Sequence, residues 1–183
     1  LAVNQVVIKL TNQGLQPVFA AGVRSVGAVF VLWAWMRLRG QRPDFARETL
    51  GAGLLVGAIF AVEFLALFLA LDHTTVSRAS VIFYSMPVWM AVTAHFVLPG
   101  ERLTPVRLLG LALAFGGVAW AIFDRAGLGG DVSLAGDLFA LVAALAWMGV
   151  SLAARLTAIS RQTPEMQMFW QVLVSAPLLL LLA

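Results

Sequence analysis

Apolar blocks of bilayer-crossing length recur along almost the whole chain, and no other feature restricts its fold so sharply. Coiled as a helix, a block of roughly 20 apolar residues spans a hydrocarbon core of about 30 Å. One such block could be a signal sequence or a single anchor, whereas a series of them requires a polytopic bundle. A soluble protein with several fully buried long helices is the rival reading, and composition argues against it. Hydrophobic residues make up 61% of the chain and charged residues 11%, where a soluble domain carries about a quarter charged. The expected fold is all-α, a transmembrane helical bundle.

Seven blocks can be traced. The first, Leu1 to Gln13, is too short to cross a bilayer, so the start of its span is expected upstream. The second runs from Pro17 to Leu38, with proline at the first helical position, where a missing N–H costs nothing. Thr49 to Leu71 forms the third. The fourth, Arg78 to Leu98, carries Pro87 in mid-membrane, which predicts a kink and a freed backbone carbonyl. The fifth opens at Thr104-Pro105, a cap followed by proline, and ends near Phe123. Leu134 to Leu156 is the sixth, and the seventh opens with Thr163-Pro164-Glu165 and runs to Ala183.

One set of alternate loops holds Arg37, Arg39, Arg42, Arg47, Arg102, Arg107, Arg155 and Arg161, and the other set only Arg78 and Arg125. Short basic loops stay in the cytoplasm, so the odd-numbered blocks run outward and the amino terminus is expected inside. The same scatter argues against a nucleic-acid partner despite a net charge of +3, because the arginines do not gather on one face. The chain has no cysteine, so no disulfide, thiol nucleophile or thiolate metal site can be built. His73 and His95 fall on opposite sides of the membrane, which leaves neither a zinc site nor a histidine-based triad. No cofactor or metal is expected, and an intramembrane enzyme is the weakest of the function classes.

Small residues let helix backbones approach in lipid, so Gly53 with Gly57 and Ala112 with Gly116 are read as packing seams. The glycines at 127, 129 and 130 read as a turn, since no strand precedes them as a phosphate-binding loop would need.

Charges inside a membrane are costly and mark functional candidates unless they pair or reach water. Arg24 should lie roughly 10 Å below the outer surface and Glu63 about 21 Å above the inner end of its helix, a similar depth. Lys9 stands slightly higher, sharing a helix face with Gln5 and Asn12, and Tyr84 falls in the same layer. Trp170 and Gln171 reach the corresponding level measured from the inner surface. Two readings follow. In one, Glu63 binds a cation or a proton and Lys9 or Arg24 a carboxylate, within a polar site. In the other, Glu63 merely neutralises Arg24 while Lys9 snorkels outward and Trp170 packs or anchors. His95, near the inner end of its span, reads as a satisfied helix-end histidine, and Glu101 as a partner of nearby arginines or helix N-termini.

The segment Gln5-Val-Val-Ile-Lys9 with Pro17 and Arg24 is loosely echoed by Val150 to Arg155 with Pro164 and Gln171. Five spans separate the copies, and an odd number places the second upside down relative to the first, an arrangement that supports alternating access. The chain also resembles the EamA-type permeases of the drug/metabolite transporter superfamily. The resemblance rests on Asn4, Ile8-Lys9 and Gln16-Pro17, and above all on Tyr84-Ser-Met-Pro87-Val, Pro99-Gly-Glu101-Arg-Leu-Thr104 and Gly116-Gly117. It continues through Gly136-Asp137, Ala146-Trp147 and Phe169-Trp170-Gln171.

That resemblance implies a ten-span transporter of two inverted five-helix repeats around a central cavity, with both termini cytoplasmic. Residues 1–126 would form the first repeat and 127–183 the start of the second, so the chain is expected to be a fragment. Asn4 joins Lys9, Arg24, Glu63, Tyr84, Trp170 and Gln171 as a candidate cavity residue. The expected function is a permease of the bacterial cytoplasmic (inner) membrane for a small organic metabolite, an amino acid or a drug-like solute. The rivals are a membrane structural or assembly subunit and, more weakly, an enzyme. Expected partners are the small-molecule substrate, the lipid bilayer, a proton or other coupling ion, and a second copy of the chain as a homodimer.

Overall fold

A computed structural model describes residues 16–98, 100, 103–123 and 133–183. Helix α1 (Pro17–Leu38) starts at its proline. It ends where Gly40, at a φ of 69°, takes the left-handed turn that a side chain would resist. The Gly40 and Gln41 amides then reach back to the carbonyls of Arg37 and Met36, which satisfies the last turn. Helix α2 (Arg47–His73) is a few residues longer than expected and stops at extended Thr74.

The fourth block is two helices, α3 (Val76–Phe83) and α4 (Met86–Val97). Pro87 has no N–H to give the carbonyl of Phe83 four residues back, and its ring crowds that carbonyl. The kink therefore becomes a break at Tyr84 and Ser85, where the Ser85 hydroxyl donates to the Ile82 carbonyl at 2.6 Å. The Trp89 indole N–H in turn donates to the Ser85 hydroxyl at 3.0 Å. Helix α5 (Pro105–Phe123) and helix α6 (Leu134–Leu156) fill the predicted bounds. A 3-10 turn, Ala158–Arg161, leads to α7 (Pro164–Leu181), whose cap Thr163 accepts from the Met166 amide at 3.3 Å.

Helix α2 is the central post, packed along α6 on one side and α7 on another, while α1 lies along α7. Helices α3 and α4 rest on α6, and α5 touches only α3 and α4 to any extent among the described residues. Gly53 and Gly57 form the expected seam: a Cβ at either would run into Trp170 or Val174 of α7. Ala112 and Gly116 do not, because α5 stands at the edge of the bundle and nothing lies within 4 Å of a Cβ built at Gly116. Buried Ser25 and Ser175 join α1 to α7 by a hydrogen bond of 3.2 Å, a polar tie suited to a lipid setting.

Among the described residues, four helical stretches are long and apolar enough to cross a bilayer: Pro17–Leu38, Arg47–His73, Val76–Val97 and Leu134–Leu156. Their outward faces carry large apolar side chains such as Phe30 and Val31, which water would not tolerate in such number but lipid does. The interior holds two apolar clusters. One gathers Phe68, Leu71, Ile82 and Ala140 toward the end of the bundle where α1 and α6 begin; the other gathers Met36, Val56, Ile159 and Phe169 toward the opposite end.

Candidate functional site

Between those clusters lies a cavity of about 540 Å³. Helix α1 contributes Arg24, α2 Glu63 and Phe64, the break after α3 Tyr84, α6 Trp147 and Ser151, and α7 Gln171. Four of the residues marked by sequence thus meet in one space: Arg24, Glu63, Tyr84 and Gln171. Trp170 does not join them. Its indole is 3% exposed and turned into the α2 seam, edge-on to Phe45 at 5.3 Å between centroids. It packs rather than lines. Lys9, Asn4, Gln5, Asn12, Glu101 and the glycine turn at 127–130 lie outside the described residues.

Glu63 is 1% exposed, and neither carboxylate oxygen has a hydrogen-bond partner among the described residues. Arg24 does not neutralise it by contact: no ion pair joins the two among the described residues. Its guanidinium instead stands over the Phe64 ring, 5.1 Å from the centroid, a favourable seat for a cation in an apolar wall. An ionised carboxylate buried without a donor costs several kcal/mol until a cation or proton joins it. The cavity therefore sets a buried acid in want of positive charge near an exposed arginine that makes no ion pair among the described residues. The walls are otherwise largely apolar and aromatic, Phe83 meeting Trp147 edge-on at 5.6 Å.

The sequence reading misplaced a further residue. Arg78, counted as an outer-loop charge, sits in the first turn of α3 and is fully buried. Its Nε and Nη2 donate to Oδ1 and Oδ2 of Asp137, both at 2.7 Å. Asp137 stands in the first turn of α6, 3% exposed. Opposite charges one turn inside the outer ends of two different spans were the available signal. His95 behaves as expected, its Nδ1 accepting from the Leu103 amide at 3.2 Å.

Lipid-facing helices around a cavity at mid-depth define a multi-pass α-helical membrane protein. The chain belongs to the EamA-like transporter family, which it matches over residues 1–123. It is 31% identical over 134 residues to the uncharacterized transporter YvbV of Bacillus subtilis (strain 168), covering 72% of this chain and 42% of that protein. To the uncharacterized transporter YoaV of the same organism it is 24% identical over 144 residues, covering 78% of this chain and 49% of the other. The matched segments thus cover less than half the length of these curated relatives. No solved structure matches it significantly.

Proposed function

We propose that the full-length protein is a permease that carries a small organic metabolite across the bacterial cytoplasmic membrane by alternating access. Two inverted repeats would perform it, the first over residues 1–126 and the second beginning at 127. The observation that carries this reading is Glu63: a buried acid, without a hydrogen-bond partner at either oxygen among the described residues, facing a cavity it shares with Arg24, Tyr84 and Gln171. A volume of about 540 Å³ falls within the range of small-molecule sites. A solute with an amine, a carboxylate and an apolar body, an amino acid being the simplest, would match an acid, a base and aromatic walls together. A proton or another cation at Glu63 would fill the same demand between solutes and provides a route to coupling.

If the charges only docked helices, Glu63 and Arg24 would be expected in contact; no ion pair joins them among the described residues, and Arg24 is exposed. The test is uptake by the full-length protein in proteoliposomes. Glu63→Gln and Arg24→Ala should each lower it about tenfold or more, the worth of one charge-assisted contact. Unchanged flux in both variants would remove the site.

A further inference from the structure

The cavity is closed on one side only by a short stack of structure, and that stack has a charged fastening. Its lining reaches Leu32, Ala154 and Met168, each within two turns of an inner helix end. Toward the outside it stops at Leu67, Phe83 and Tyr84. Beyond them, the turn between α2 and α3 presses on the start of α6. A Cβ at Gly136 would lie 2.8 Å from the Thr74 Cβ and 2.9 Å from the His73 carbonyl carbon. Beside this contact stands the bidentate pair of Arg78 and Asp137.

We infer that the Arg78–Asp137 pair is an outer latch, closed in this structure and parted when the cavity opens to the outside. The inference rests on the alternating-access reading, under which α3 belongs to the first repeat and α6 to the second. Three features support it. The pair joins one helix of each repeat, so relative motion of the repeats must stretch it. Both residues lie in the first turns of their helices at the outer end, so parting hydrates the two charges instead of stranding them in hydrocarbon. Below the latch, α6 turns Ala140, Ala143 and Ala144 toward its neighbours, all at 0% exposure. Small side chains there let α6 lie close against its neighbours without bulky knobs to fix one angle, whereas a two-pronged ion pair holds one.

The test uses the full-length protein with its native cysteines, if any, removed. Ala140→Cys lies one turn below Asp137, and its labelling by a membrane-impermeant maleimide is read from the outside. In the otherwise unchanged protein labelling should be slow. Arg78→Gln with Asp137→Asn preserves shape, leaves no lone charge and should speed it about tenfold, through a larger outward-open population. Asp137→Glu, which keeps the pair, should label slowly. Equal rates in all three backgrounds would overturn the latch.

A second measurement does not depend on the neutral variant folding. Arg78→Cys/Asp137→Cys, bridged by a reducible bifunctional thiol reagent, should stop uptake and recover it on reduction. Uptake that continues through the bridge would equally overturn the latch. Labelling needs no solute, so a full-length protein that moves nothing would defeat the permease reading while the labelling rates still decide the latch.

Discussion

Glu63 and Arg24 were visible before any fold was known, because a charge in the middle of an apolar block contradicts its surroundings and demands a reason. Trp170 was not resolved in the same way. An aromatic ring is equally at home lining a cavity or filling a seam, and only the glycines opposite decide between them. Those glycines carry a residue-scale prediction. Gly53→Ala places a methyl group inside the space of a rigid indole, so the full-length protein in detergent should lose about 1–3 kcal/mol. A melting transition unmoved by the substitution would show that α2 and α7 are not held as close as described. Arg78 was misread for a different reason. It stands two residues into its helix, where a hydrophobicity pattern cannot tell a loop charge from a buried one, and its partner lies 59 residues away in sequence.

At the scale of elements, block length and proline positions were enough to place Pro17–Leu38, Pro105–Phe123 and Leu134–Leu156. The severity of the Pro87 disturbance was not readable, since a kink and a break begin with the same missing hydrogen bond. The break has a use: it turns the chain at Tyr84, which borders the cavity. Pro87→Ala should let α3 and α4 fuse and swing the phenol away. The expected result is a KM for uptake raised about fivefold, the loss of one hydrogen bond, with folding unimpaired by size-exclusion chromatography. Unaltered kinetics would detach Tyr84 from the site.

For the whole molecule, all the loop arginines but Arg125 fall on one set of loops, and the positive-inside tendency predicts which way the bundle sits in the bilayer. Asp72, exposed at the end of α2, should face the outside, and Arg42, exposed between α1 and α2, the cytoplasm. In intact cells an impermeant thiol reagent should therefore modify Asp72→Cys at once and Arg42→Cys only after permeabilisation. The reverse pattern would invert the orientation and, with it, the side on which the latch lies. Handedness and packing order escaped the sequence altogether. Apolar blocks state that helices lie in lipid, but which pairs touch depends on small-residue faces, such as the alanines of α6, that many partners could accept.

The break in the fourth span leaves Val76–Phe83 as an eight-residue rod, about 12 Å long. One end is gripped by Asp137 and the other finishes at the cavity wall. A rod so short and so well hydrogen-bonded bends little. Under the proposed transport cycle, pressure from a solute against Phe83 and Tyr84 would be delivered as leverage on Arg78, and a tug at Arg78 would redraw the walls that the solute meets.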